Sequence, residues 1–333
     1  MGVAASEDLC RQLGLIFYPD SEPGITRSGR GTGFIYRAPD GNRITDAKHR
    51  AALDALAIPP AYSEVWLSPH RQGHLLATGR DAAGRKQYRY HPDWTRHHQE
   101  RKFEHLSNIG PRLPRLRRWI SRQIRSNDPS EEAAVATILC LIDRHSLRVG
   151  HPDYSRQNGS FAATTLQQRH LIEMDEGMML AYSAKGGAKV TKSGLSQALR
   201  RRLHIGPDGA RERLVGWRDA RGRWRAVQPG VVVDTMREIL DCEVTPRLMR
   251  TWNGSRAAFL AARAAEQPTI KHVSTAAAQT LHNTPTIARN SYIHPGIIDA
   301  VRDGAVLPKD RTDAPELLRI GEDGMTAFLR ASD

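Results

Sequence analysis

The sequence predicts an α+β protein: a small β-rich N-terminal domain, then a larger, mainly helical domain that contains a small β-hairpin or sheet. Three observations lead there. Up to about Asp93, short runs such as Gly33-Phe34-Ile35-Tyr36-Arg37 and Glu64-Val65-Trp66-Leu67-Ser68 are separated by the turn residues Asp40-Gly41 and Pro59-Pro60. From Trp94 onward apolar residues recur at helical spacing. Between Leu171 and Thr191 the pattern reverts to strand, turn, strand. The change of character near residues 93–100 divides the chain into domains 1–95 and 96–333.

Taken in order, residues from about Asp46 to Leu56 form a helix that interrupts the β-rich domain. Asp128 is the expected cap of a later helix, with Pro129 in the first turn and Glu131 three residues after the cap. That helix carries Val135, Leu139 and Ile142 on one apolar stripe and runs towards Arg148. In the strand pair, Asp175-Glu176-Gly177 makes one turn and Gly186-Gly187 the next. Residues 211–229 are basic and contain Gly and Trp, and fit no simple pattern. Thr245-Pro246 and Thr284-Pro285 each open a helix as a cap followed by a first-turn proline. The polar tail beyond Pro308 is expected to be loosely held.

Composition narrows the function. Of 333 residues, 39% are hydrophobic, which fits a globular chain. No apolar run is long enough to span a bilayer, and the N-terminus has no basic region followed by an apolar stretch. A cytoplasmic, nucleoid-associated protein is expected. Cys10, Cys140 and Cys242 are too few and too scattered for a disulfide framework or a zinc site, and Cys140 reads as core. Lys+Arg 49 against Asp+Glu 36 leaves a formal charge of +13. An excess of that size points to a polyanion, because neutralising phosphates releases their counterions.

Several chemistries are missing. Gly29, Gly31 and Gly33 are not followed by Gly-Lys-Ser/Thr, so there is no phosphate-cradling loop. There is no Gly-x-Ser-x-Gly elbow and no metal-ligand spacing, and His97-His98 reads as a solvated pair. What remains is a set of cations and one tyrosine. Cutting a phosphodiester without a metal needs a nucleophile, fixed cations on the non-bridging oxygens, and a proton donor for the departing sugar oxygen.

Four segments supply those parts. They are Leu147-Arg148-Val149-Gly150 with Tyr154 and Asn158-Gly159; Ala184-Lys185-Gly186-Gly187; Arg247-Leu248-Met249-Arg250-Thr251-Trp252; and Asn283-Thr284-Pro285 with Ser291-Tyr292. In this order they resemble the compact poxviral and bacterial type IB topoisomerases. Ala57-Ile58-Pro59-Pro60-Ala61-Tyr62, Ala77-Thr78-Gly79-Arg80-Asp81 and Gly84-Arg85-Lys86-Gln87-Tyr88-Arg89-Tyr90 match in the N-terminal part. The resemblance covers roughly residues 25–300.

The resemblance implies a C-shaped clamp around double-stranded DNA that works without metal, cofactor or ATP, and a monomer is expected by default. It implies that Tyr292 is the nucleophile and becomes joined to a 3′ phosphate. Arg148 and Arg250 would grip the non-bridging oxygens, Lys185 would protonate the leaving 5′ oxygen, and Asn283 would hydrogen-bond a phosphate oxygen. Arg80, Lys86, Gln87, Tyr88, Tyr90, Tyr154 and Arg247 would contact the duplex.

Each residue also has a plainer reading. Arg148 can serve a helix end, Lys185 a solvated hairpin with Lys189 as a rival, Arg250 a cation–π contact with Trp252, and Tyr88 and Tyr90 simple packing on one strand face. The chain departs from the pattern at Asn283, where the viral enzymes have histidine, at Arg247, where lysine is usual, and at Met249 and Ala184. Asparagine still donates a hydrogen bond but carries no charge. A tyrosine recombinase shares this chemistry, but its second arginine follows a histidine by three residues, where this chain has Arg247. A non-catalytic DNA-binding protein of the same fold is the other alternative.

Overall fold

The computed structural model describes every residue except 1–2, 31–32, 83, 102, 104, 127, 176, 204–208, 210 and 333, together with the side chains of 3–5, 30, 99–101, 154 and 332. Gly31, Glu176 and the Tyr154 side chain therefore lie outside the described residues. The fold is α+β, and the chain divides into two compact units, Met1–Arg101 and Lys102–Asp333.

The first unit runs α1 (Val3–Gln12), β1 (Ile25–Arg30), β2 (Gly33–Arg37), α2 (Ala47–Asp54), β3 (Ser63–Leu67), β4 (Leu75–Arg80), β5 (Lys86–Tyr90) and α3 (Pro92–Arg101). The strands form one antiparallel sheet in the order β2-β1-β3-β4-β5. Asp46 caps α2 by accepting the His49 N–H at 2.7 Å, within the helix expected there. Ile25, Tyr36, Leu53, Val65 and Leu67 form the core beneath it. A shift of register in β3–β4 marks a bulge between Ser63 and Trp66.

The second unit opens with α4 (Leu106–Ile109), α5 (Leu113–Arg125), α6 (Glu131–His145) and α7 (Pro152–Asn158). An antiparallel three-stranded sheet follows, β6 (Leu171–Met174), β7 (Gly177–Ser183) and β8 (Lys189–Lys192), and then α8 (Gln197–Leu203). A short hairpin, β9 (Gly216–Arg218) and β10 (Trp224–Ala226), leads into α9 (Pro229–Leu240). The chain ends with α10 (Pro246–Ala264), α11 (Ile270–Leu281), α12 (Pro285–Tyr292), α13 (Pro295–Asp303) and α14 (Glu322–Ser332).

Helix α6 is buried from Ala133 to Asp143, so it is the central element of this unit and not a surface helix. Its cap is Ser130, whose hydroxyl accepts the Ala133 N–H at 3.3 Å, and not Asp128. Pro129 precedes the first turn, and the Asp128 carbonyl is taken by Arg202 at 2.8 Å. The helix stops at His145, three residues before Arg148, because Ser146 turns left-handed (φ 57). Thr245 and Thr284 do cap α10 and α12, accepting the N–H groups of Leu248 and Ile287.

The tail is not loose. Glu322 in α14 is wholly buried and receives Nη1 and Nη2 of Arg117 at 2.6 and 2.8 Å. Arg117 also bonds Asp143 with Nε and Nη2, each at 2.9 Å, and Arg319 adds a second guanidinium to both acids. This four-residue network fastens the end of the chain to α5 and α6. Trp252 joins it through Nε1 to Glu322 at 3.1 Å.

Candidate active site

Three elements of the second unit meet at Arg250. Just over one turn into α10, its side chain is only 3% exposed. Its Nη2 donates to the Leu281 carbonyl at the end of α11 at 2.9 Å, and Nη1 to the carbonyl of Ser146 just after α6. Nε has no partner among the described residues. The guanidinium stacks on Tyr292 and not on Trp252, with its carbon 5.4 Å from the Tyr292 ring centroid. Burial, then repulsion from Arg148, pulls the Arg250 pKa down to about 10, which still leaves it charged at neutral pH.

Tyr292 is the last residue of α12 and is half-buried. Burial pushes its phenol up. The charges of Arg250 and Arg148, a hydrogen bond from Arg250 and the charge of exposed Arg247 outweigh that, and the net shift is downward. A phenol with a lowered pKa in a cationic site has the chemistry to act as a nucleophile. Two features place it. Ser255 Oγ donates to the Tyr292 carbonyl at 3.2 Å and accepts the His294 N–H at 3.0 Å. Gly254 lets the α12 backbone close on α10.

Arg148 is half-buried on the stretch after α6. Its carbonyl accepts the Ala163 N–H at 2.9 Å, and that of Val149 accepts the Thr164 N–H at 2.9 Å, so neighbouring loops brace it. Arg148 and Lys185 line one cavity of about 400 Å³ with Val149, Phe161 and Pro229. Lys185 is exposed in the β7–β8 turn, where Gly186 and Gly187 have φ near +78 and +77. Those values suit glycine and allow the lysine to sit at the tip. Lys189 is also exposed, at the start of β8.

Asn283 follows α11, its backbone N–H bonded to the Ala278 carbonyl at 3.1 Å. Both polar atoms of its side chain are buried with no partner among the described residues. Such atoms cost free energy unless a ligand satisfies them.

Sequence reasoning missed Lys192 and set His282, one residue before Asn283, aside as facing another direction. Lys192 Nζ donates to the Thr280 carbonyl in α11 at 3.0 Å, joining the lysine hairpin to the helix before Asn283. Burial, then Arg250, takes its pKa down to about 8. His282, in left-handed conformation (φ 49), is pulled down by burial and then by Lys192 and Arg250, so it lies in the field of the cationic cluster. The available signal for Lys192 was strand alternation, which sets it on the same face as buried Val190.

In the first unit, Tyr88 and Tyr90 on β5 stack with ring centroids 6.0 Å apart, both exposed. Lys86 pairs with Asp20 and lies 5.6 Å from the Tyr88 ring centroid. Gln87 bonds Asp81 at 3.0 Å, and Arg80 Nε bonds Glu64 at 2.7 Å. These residues form an ordered polar and aromatic strip. His97 and His98 are half-buried and not a solvated pair: the His98 ring lies 4.5 Å from Trp94.

Among the described residues no group of three His, Cys, Asp or Glu is placed to hold a metal ion. No helix among them is long and apolar enough to cross a membrane.

An α+β chain whose helical part presents a tyrosine against arginines has the parts of a phosphodiester-cleaving protein. Residues 91–284, more than half of the chain, match the family described as eukaryotic DNA topoisomerase I, catalytic core. Residues 33–81 match the bacterial DNA topoisomerase IB, N-terminal domain. The chain belongs to the type IB DNA topoisomerases. It is also 29% identical over 168 residues to DNA topoisomerase 1B of Acanthamoeba polyphaga mimivirus, a stretch that is 50% of this chain and 50% of that relative. The chain thus aligns with half the length of that relative. The catalytic-core match takes in Arg148, Lys185, Arg250 and Asn283 and ends before Tyr292.

Proposed function

We propose that this chain relaxes positive and negative supercoils in double-stranded DNA by cutting and resealing one strand, as a monomer and without ATP or metal. The observation that carries the reading is the Tyr292 phenol held beside the buried Arg250 with its pKa lowered.

Each step follows from the groups present. The Tyr292 oxygen attacks phosphorus, its own proton passing to water, and the bond to the 5′ sugar oxygen breaks. Lys185 gives that oxygen a proton. Arg148 and Arg250 carry the charge that develops on the non-bridging oxygens, where fixed guanidinium donors act most strongly. The buried Asn283 amide supplies one more hydrogen bond there. The 3′ phosphotyrosyl bond keeps the energy of the broken bond, so no nucleotide is needed. After the free end rotates, the same groups run in reverse and reseal the strand.

Outside the chemistry, Arg247, Tyr154 and the β4–β5 residues Arg80, Lys86, Gln87, Tyr88 and Tyr90 hold the duplex. They place the protein on chromosomal DNA in the cell.

The test is relaxation of supercoiled plasmid of either sign in EDTA without ATP. The wild type relaxes both signs, and Tyr292→Phe relaxes neither. Tight duplex binding with no relaxation by the wild type overturns the reading in favour of a recombinase or a binding protein.

A further inference from the structure

The basic segment that fitted no pattern in the sequence is an ordered hairpin. Between residues 211 and 226 stand six arginines against only Glu212 and Asp219. Strands β9 and β10 pair Trp224 with Arg218, Arg225 with Trp217 and Ala226 with Gly216. Asp219 organises the tip. Its carboxylate accepts the backbone N–H groups of Arg221 and Arg223 at 2.9 and 3.0 Å, and the Nε of Arg223 and Arg225 at 3.0 and 2.8 Å. Burial opposes ionisation, but these donors outweigh it and hold Asp219 well below the usual carboxylate range. The one acid at the tip is therefore consumed in shaping it.

Arg221, Arg223 and Arg225 remain exposed. Arg223, just before β10, and Arg225 within it both reach the Asp219 carboxylate through Nε, so their guanidiniums lie side by side. Asp219 grips both by Nε. Their Nη nitrogens make no hydrogen bond among the described residues, and the Arg221 side chain makes none. Holding a guanidinium by one nitrogen removes part of the rotamer entropy that an arginine otherwise loses on binding an anion.

The root of the hairpin is built into the active-site wall. Arg213 Nη1 donates to the Thr165 carbonyl at 2.7 Å, and Leu214 N to that of Leu166 at 3.0 Å. The same loop donates Ala163 N to the Arg148 carbonyl. Pro229, three residues past β10, lines the cavity of Arg148 and Lys185.

We infer that Arg221, Arg223 and Arg225 form a preorganised grip on the phosphate backbone of the duplex flanking the site of cleavage. The partner is DNA because a guanidinium fork matches carboxylate or phosphate, and phosphate is the anion that the proposed substrate brings to this site. The inference rests on the proposed substrate but not on the cleavage step. The grip holds the duplex beside the cut, so it governs how many turns are released per binding event and leaves the bond-breaking groups untouched.

The experiment measures equilibrium binding of a roughly 30-base-pair duplex against salt for the wild type, R221Q/R223Q/R225Q and R221K/R223K/R225K. Single-turnover cleavage of the same duplex at saturating enzyme is followed alongside. The glutamine variant flattens the slope of log K against log salt by 2–3, at about 0.9 per phosphate contact. It also loses on the order of tenfold affinity at moderate salt. The lysine variant keeps most of the slope, and cleavage at saturation is unchanged in both. Plasmid relaxation by the glutamine variant turns distributive at a salt concentration where the wild type is processive. An unchanged slope overturns the inference, and so does equal loss in the lysine and glutamine variants, which marks a structural role around Asp219. Because binding is read without turnover, a wild type that binds with the steep slope and does not relax DNA sinks the proposed activity and leaves the grip standing.

Discussion

A methyl group on Gly254 would lie 2.8 Å from the Tyr292 carbonyl oxygen and 3.1 Å from its Cβ. Glycine inside a helix costs about 1 kcal/mol relative to alanine, so Gly254→Ala favours α10 by itself. The bulk instead pushes α12 away and carries the phenol with it. Single-turnover cleavage by Gly254→Ala is expected to fall roughly 10–100-fold, the usual penalty for a misplacement near 1 Å, with duplex affinity unchanged. Wild-type cleavage by this variant would show that the contact does not set the position of Tyr292.

Arg250 acts on Tyr292 through charge, so the pH profile of cleavage reports it. The phenol pKa is lowered in the folded site, so the rate rises with pH and levels off below the ordinary tyrosine range. Arg250→Gln removes the charge and moves that inflection upward, towards about 10. It also lowers the plateau by about 10²–10³-fold, the usual loss for one oxyanion donor. Arg250→Lys restores little, because an ammonium cannot span the Ser146 and Leu281 carbonyls and reach phosphate as well. Identical inflections in wild type and Arg250→Gln would contradict the coupling.

Asn283 yields a sharper contrast. Its amide is buried and has no partner among the described residues, so its polarity adds no stability there. Asn283→Leu is expected to leave the melting temperature unchanged or higher, since an unmet buried polar group costs about 1–3 kcal/mol. Cleavage by the same variant drops on the order of tenfold or more. A marked fall in melting temperature would make Asn283 a structural residue instead.

The buried network of Arg117, Asp143, Arg319 and Glu322 sets the acid limit of the fold. The two guanidiniums outweigh the burial penalty on Glu322 and hold its pKa at about 2. A lowered carboxylate gives stability that is present above its unfolded pKa and is lost as pH falls towards about 2. His145 is lowered to about 4 by burial and then by Lys192 and Arg144, and His170 to about 4 by burial and then by Arg169. Their neutral forms are favoured in the fold, so stability starts to fall as pH drops below about 6.5 and continues to about 4. Glu322→Gln is expected to cost about 3–5 kcal/mol at neutral pH, because it leaves buried arginines under-compensated. Urea unfolding across pH checks both statements, and a flat stability from pH 7 to 4 would refute the histidine part.

How much of this was legible in the sequence depended on the range of the interaction involved. Thr245 and Thr284 each bond an N–H three residues on, so their caps could be read locally, and so could the alternation of the strands. Asp128 misled because Pro129 and Glu131 offer the same local pattern, while a distant residue, Arg202, takes its carbonyl. Glu322 was read as part of a loose tail because its partner Arg117 stands 205 residues away. A polar segment gives no local sign that ions elsewhere will bury it. The site divided in the same way. Arg148, Lys185, Arg250, Asn283 and Tyr292 were named from ordered motifs. Lys192 and His282 enter only through packing of β8 and α11 around Arg250.

Arg250 is tethered at once to the residue that ends α6 and to the last residue of α11. It reaches its working position only when both helices are docked against α10. In the proposed reaction the same guanidinium serves cutting and rejoining, so a molecule whose helices have come apart would lose both capacities together. On that proposal, partial melting is expected to produce an inert protein and not one that opens a strand it is unable to close.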